Sequence, residues 1–176
     1  MDNKNTLLCW HSKRAGVEVL DEALKRLKNR KVYVGKVIVL TQSAGDNSLY
    51  TEHEFGDIQI TFRTVAIENP ADHNEIYHAI ESEIIPELKL EQNLHINVSP
   101  GTPAMHAVWL ILHARGHFPR ETILWSSQYN PDTKRTSIAK VDFSVNTYLA
   151  EISAISSSEG GYALYDLDPK SKARQD

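Results

Sequence analysis

His95-Ile96-Asn97-Val98-Ser99-Pro100-Gly101-Thr102-Pro103-Ala104-Met105 is the stretch on which the fold turns. Its first five residues read as an extended strand, Gly101 permits a tight turn, and a helix then begins. Thr102 is a good N-cap, and Pro103 takes the first helical position, where a missing N–H costs nothing. Such a helix start points backbone N–H groups and a partial positive charge outward, which suits an anion. Ser99, Gly101 and Ala104 are small enough to let a ligand approach the backbone. A plain, well-capped strand-to-helix turn fits the same letters. The turn is neither GxGxxG nor GxxxxGK[ST], so neither common nucleotide fingerprint supports it.

Upstream, the apolar run 6–10 (TLLCW) reads as a buried strand, left through the polar residues His11, Ser12, Lys13 and Arg14. Val17, Leu20, Leu24 and Leu27 then recur at helical spacing. That helix ends in Lys28-Asn29-Arg30-Lys31, cations suited to the negative end of the helix dipole. The run 37–40 (VIVL) has the near-continuous apolar pattern of a central parallel strand. Ile58, Ile60 and Phe62 alternate with polar neighbours, as in a strand nearer the sheet edge, and 65–67 extends it or forms the next. Ile76, Ile80, Ile84 and Leu88 mark a second helix, opened by Asn69-Pro70 and Asp72 and kinked or ended early by Pro86.

Downstream, the helix begun at Thr102 runs to about Arg115 and stops near Gly116. A further strand, 122–125, leaves through Ser126-Ser127-Gln128. The order strand, helix, strand, strand, helix, strand, helix, strand predicts an α/β fold. It is Rossmann-like, with a mostly parallel central sheet and helices on both faces. Past Tyr129 the pattern weakens to a turn at 130–132, a strand candidate at 138–143 and an ambiguous stretch at 144–155. The expected domain is 1–155, and 156–176, opening on Ser-Ser-Ser-Glu-Gly-Gly, reads as a linker-like tail.

The 176 residues fit one domain. With 41% hydrophobic and 24% charged residues the composition is that of a soluble globular chain. No window approaches the roughly 20 apolar residues of a membrane span, and the polar N-terminus lacks a signal-peptide core. The single cysteine, Cys9, rules out an internal disulfide and suits a cytoplasmic location. A net charge of −4 argues against general DNA or RNA coating, while leaving room for a local basic pocket around one small anion.

Three other strand exits should meet the 99–105 turn at the carboxyl edge of the sheet, where open α/β sheets bind ligands. They are His11–Arg14, Thr41 with Gln42 and Ser43, and Ser126, Ser127 and Gln128. Lys13 and Arg14 would supply the positive charge that a phosphate wants. Polar loops after strands are also common where nothing binds. His106, His113 and His117 stand at helical spacings, yet Gly116 interrupts them and no neighbouring Cys or acid completes a set, so no metal site and no cofactor is assigned. Cys9, Trp109 and Trp125 read as core or packing residues, and Glu81, Glu83 and Glu87 as a solvated face.

The run HINVSPGTPAMHAVWLILHARGHFPRETILWSSQ, 95–128, resembles the core of the CRISPR-associated Rossmann fold (CARF) family. It is similar in particular to the sensor domain of the RNA terminal-phosphate cyclase operon regulator and to those of type III CRISPR ancillary effectors. The likeness extends less distinctly to LLCWHSKRAG and VIVLTQ. It implies a homodimer that grips a cyclic oligoadenylate (tetra- or hexa-adenylate) across its two-fold axis and regulates an effector in antiviral signalling. Ser99, Pro100, Gly101, Thr102, Pro103 and Met105 would then line the ligand turn. His11, Ser12, Lys13, Arg14, Gln42 and Ser43 would contact bases and phosphates. Family members usually carry an effector module after the sensor; with Asp176 following a linker-like tail, the expectation is a sensor domain cut from a longer protein, its effector domain missing from this chain, or a stand-alone one.

Two alternatives stand beside the sensor. Some family members are metal-independent ring nucleases, in which a ribose 2′-hydroxyl of the substrate attacks its own phosphate. The protein then need only fix the angle and stabilise charge. His11, Ser12, Lys13 and Thr102 are the candidates for that role. The other alternative is a ligand-free dimerisation domain of a transcription regulator.

Overall fold

Leu7, Leu8, Cys9 and Trp10 are all buried, because the strand they form is covered on both faces. The structure, a computed structural model, describes residues 5–12, 16–43, 50, 55–130, 132–133 and 135–142. Its elements are β1 (Asn5–Trp10), α1 (Gly16–Asn29), β2 (Val34–Thr41), β3 (Gln59–Thr64), α2 (His73–Ala79), β4 (Leu94–Asn97), α3 (Pro103–Ala114), β5 (Ile123–Asn130) and β6 (Arg135–Lys140). The six strands lie in one sheet in the order β3-β2-β1-β4-β5-β6. Every pair is parallel except the antiparallel hairpin β5–β6. This is the Rossmann-like α/β class expected from the sequence.

Alternation along the strands divides the core. Leu8, Trp10, Ile38, Leu40, Leu94, Ile96 and Leu124 face α2 and α3, meeting Ile76, Ile80, Val108, Trp109 and Leu112. Leu7, Cys9, Val37, Val39, Trp125 and Ile138 face α1, meeting Leu20, Ala23, Leu24 and Leu27. Cys9 is thus a core residue, and burial pushes its thiol up to about 12.

Both α1 and α3 end in the same Schellman turn. Val32 N–H donates to Leu27 O and Lys31 N–H to Lys28 O, with Lys31 at φ 63°; His117 and Gly116 repeat the pattern on Leu112 and His113, with Gly116 at φ 72°. α2 opens on Asp72, whose side chain accepts from Asn74 and Glu75 N–H. It continues as a π-helical stretch, Ile80–Ile84, and a last turn, Ile85–Leu88, with Pro86 at the start of that turn. The wider π turn lets the ring be accommodated, so the helix reaches Leu88 instead of stopping at Pro86. Among the described residues no helix is long and apolar enough to cross a membrane.

Two sequence expectations change. The last parallel strand does not exit at Ser126: it runs on to Asn130, with Ser126, Ser127 and Gln128 paired to Ala139, Ile138 and Ser137 of β6. The final strand is accordingly 135–140, earlier than 138–143. A two-sided polar ribbon lacks apolar periodicity, so its pairing was invisible to hydrophobic pattern. The expected boundary at 155/156 lies outside the described residues, as do Lys13 and Arg14.

Candidate functional site

The strand order fixes where a ligand can lie. β1 leads through α1 to β2 on one side, while β4 leads through α3 to β5 on the other, and α1 and α3 cover opposite faces. The carboxyl ends of the neighbouring strands β1 and β4 therefore form a topological switch point, the crevice that α/β sheets use for ligands. His11 and Ser12 follow β1 there, and Val98 to Thr102 follow β4. Gln42 and Ser43 follow β2, next in the sheet.

Asn97, the last residue of β4, organises the crevice. It is 1% exposed, and a buried amide needs partners. Its Nδ2 donates to Ser127 Oγ at 2.9 Å, and its Oδ1 accepts from the Ser99 backbone N–H at 3.3 Å. Ser99 Oγ accepts from Ser127 N–H at 2.7 Å and lies 3.3 Å from Ser126 Oγ. Because β4 ends at Asn97, β5 loses its parallel neighbour beyond Trp125, and the Ser99 hydroxyl takes over the acceptor role for Ser127. Four polar residues, from the end of β4, the turn after it and β5, thus form one cluster. The sequence reading placed Ser99, Ser126 and Ser127 at this edge but passed over Asn97, although an Asn within the apolar strand HINV is itself a signal.

Gly101 has φ 112°, and a Cβ there would stand 2.8 Å from Met105 Sδ and 3.4 Å from Trp10 Cβ. Backbone conformation and close approach both demand glycine. The helix start after it is more fully occupied than the letters suggest. Thr102 Oγ1 accepts from Met105 N–H at 3.3 Å and donates to Pro70 O at 2.5 Å. Thr102 N–H turns to Met105 Sδ at 3.4 Å, and His106 N–H to Thr102 O at 3.1 Å. Pro103 has no N–H, which leaves the Ala104 N–H as the donor of this turn with no acceptor recorded among the described residues. Met105 is 2% exposed and braces the turn from beneath, while Pro100 is buried and Gly101 and Pro103 are exposed. The His106 imidazole is pulled below its ordinary value by burial, with the carbonyls of Ser99 and Gly101 opposing.

His11 is buried; its backbone N–H donates to Leu40 O, and its Nδ1 lies 2.8 Å from the Tyr50 hydroxyl, with the rings edge to face. Tyr50, which the sequence reading did not single out, thus anchors the β1 exit. The enclosed space between Cys9, Trp10, Ser12, Tyr50, Asn97 and Pro100 is about 10 Å³, room for about one water. A ligand larger than a water does not fit within that enclosed space.

Gln128 does not join this cluster; it lines a separate cleft with Arg26 and Arg135. The three helical histidines also part ways. His113 Nε2 meets Thr122 O at 3.4 Å, His117 Nε2 meets Tyr77 Oη at 3.2 Å, and His106 packs under the turn. No cluster of three His, Cys, Asp or Glu suited to a metal occurs among the described residues.

No protein-family model and no curated protein matches the sequence. The fold is similar to solved structures. Csm6 from Enterococcus italicus, solved bound to cyclic hexa-2′-fluoro-hexa-dAMP, matches with a TM-score of 0.58 at 12% identity, over 88% of this chain and 46% of that one. VC1899 from Vibrio cholerae matches with a TM-score of 0.51 at 12% identity, over 77% of this chain and 33% of that one. Can2 from Sulfobacillus thermosulfidooxidans, solved with cyclic tetra-adenylate, gives 0.47 at 14% identity, over 77% and 37%. The chain spans less than half the length of each.

Proposed function

We propose that this CARF-type fold is a sensor that binds a cyclic oligoadenylate across a homodimer, without cutting it, and regulates an effector. The observation that carries the reading is the polar cluster of Asn97, Ser99, Ser126 and Ser127 beside the Gly101 turn, at the switch point of β1 and β4. That cluster offers hydroxyls and the Ala104 N–H to an anionic, hydrogen-bonding ligand. Csm6, which shares the fold, holds a cyclic hexanucleotide analogue.

The near-filled crevice supports a shared site. A ring of four or six nucleotides must lie over the rim, and two rims facing one another would cradle it. A stripe on the outer side of α3, Pro103, Ala107, Ile111 and Ala114, recurs at helical spacing with Ile111 45% exposed, an apolar surface for a second copy. In this reading His11, Ser12, Gln42 and Ser43 contact the ligand, and Lys13 and Arg14 neutralise phosphates.

The engagement of two of the four candidate catalytic groups supports binding without cleavage. The Thr102 hydroxyl already donates to Pro70 O, and His11 is buried against Tyr50. Labelled rings kept with excess protein in EDTA therefore stay intact for hours; linear products would replace this reading with the ring nuclease. The binding test is calorimetric. Lys13→Ala and Ser99→Ala each weaken cyclic tetra- or hexa-adenylate binding at least about tenfold, roughly 1.4 kcal/mol. Arg63→Ala, which removes a surface pair with Glu87, leaves it unchanged. Equal affinity in all four proteins would refute the assignment of the site.

A further inference from the structure

A second, separate feature stands between the end of α1 and the β5–β6 hairpin. It is a cleft of about 750 Å³ lined by Arg26, Arg30 and Arg135 together with the amide side chains Asn29, Gln128 and Asn130. The volume falls within the roughly 300–1,000 Å³ typical of small-ligand sites. Among the described residues none of the three arginines forms an ion pair, in a chain whose net charge is −4. Arg30 is oriented by a 2.7 Å bond from Nη2 to Ile138 O, while Arg26 Nε is cut off from solvent with no hydrogen-bond partner. Three cations lining one cleft repel one another, and an anion among them would offset that repulsion.

We propose that this cleft binds a phosphorylated small molecule of mononucleotide size bearing two or more phosphates. Three guanidiniums exceed what one phosphate needs, and each matches phosphate oxygens in paired hydrogen bonds. Asn29 and Gln128 supply both donors and acceptors, as the sugar hydroxyls and base edge of a nucleotide require, while Asn130, whose Oδ1 accepts from Asp132 and Thr133 N–H, keeps its amide donors. The site shares β5 with the strand-exit cluster: Ser126 and Ser127 belong to one, Gln128 and Asn130 to the other. It nonetheless rests on different residues and stands or falls independently of the oligoadenylate reading.

The test is titration of the whole 176-residue chain with ADP, AMP and inorganic pyrophosphate at low salt. Saturable ADP and pyrophosphate binding is expected, with AMP at least tenfold weaker and affinity falling as salt rises. Arg135→Gln and Arg26→Gln each cut ADP affinity at least tenfold, while Arg63→Ala, which removes only a surface pair with Glu87, does not change it. Circular dichroism confirms that each variant is folded, and Arg135→Gln, on the exposed hairpin, decides where Arg26→Gln fails to fold. No saturation at millimolar ADP or pyrophosphate overturns the proposal, as does undiminished binding by Arg135→Gln. Cyclic oligoadenylate binding that is lost in Arg135→Gln but kept in Ser99→Ala also overturns it, because the ring would then occupy the cleft.

Discussion

Gly101 and Asn97 carry different burdens within five residues of each other. At φ 112°, and with an added Cβ falling 2.8 Å from Met105 Sδ, Gly101 cannot accept a methyl group without displacing the methionine that braces the turn. Gly101→Ala is expected to cost about 1–3 kcal/mol, read as a lower denaturant midpoint. Asn97→Ala strands Ser127 and the Ser99 N–H, an expected loss of about 1–3 kcal/mol. Ring binding weakens with it; a variant of unchanged stability would show that the amide network is incidental. His95 supplies a pH dependence. Trp125 Nε1 donates to its Nδ1 at 2.8 Å, its Nε2 lies 3.2 Å from Asn5 Oδ1, and burial holds its pKa below the ordinary value. The unfolded chain therefore binds more protons than the folded one below about pH 6.5, and stability falls on acidification through that range. His95→Gln, which keeps an acceptor for Trp125, should flatten the change in midpoint between about pH 8 and about pH 5. Glycine at 101 and the Thr102 cap were readable in the sequence because each reflects local backbone chemistry. That Thr102 spends its hydroxyl on Pro70, and that Asn97 reaches β5, were not, since both contacts join segments about 30 residues apart.

The elements obey the same division between local and distant causes. α1 and α3 were legible from apolar spacing, and the stop of α3 from Gly116. α1 closes its identical turn with Lys31 at φ 63°, a conformation in which a side chain costs about 1–2 kcal/mol. Lys31→Gly is expected to stabilise the protein by about 1 kcal/mol, after allowing for glycine's greater freedom when unfolded. A lower midpoint would mean that the Lys31 side chain makes a contribution larger than the strain. β5 shows the opposite case. Its second half pairs only with β6 and carries serines and amides, so neither burial nor periodicity announces it. Yet that hairpin places Ser126 and Ser127 in the strand-exit cluster and Gln128 and Asn130 in the arginine cleft.

At the scale of the whole molecule, the parallel sheet with helices on both faces follows from the order of apolar runs, and the site follows from the sheet. The chain's connections diverge to either side from the parallel pair β1 and β4, which makes one crevice, and the polar rim of that crevice is what the proposal assigns to an anionic, hydrogen-bonding ligand. What sequence could not convey is how little enclosed space, about 10 Å³, remains between Trp10, Tyr50, Asn97 and Pro100, which supports the proposal that a large ring is shared by two chains. Ile111→Glu, on the outer stripe of α3, should then shift sedimentation toward the monomer and weaken ring binding together. The most direct test is calorimetric titration of the intact chain with cyclic tetra-adenylate and cyclic hexa-adenylate. The expected result is saturable binding of at least one of them at one ring per two chains, lost in Ser99→Ala. A folded protein that takes up neither ring, or binds one ring per chain with Ser99→Ala unaffected, would contradict it.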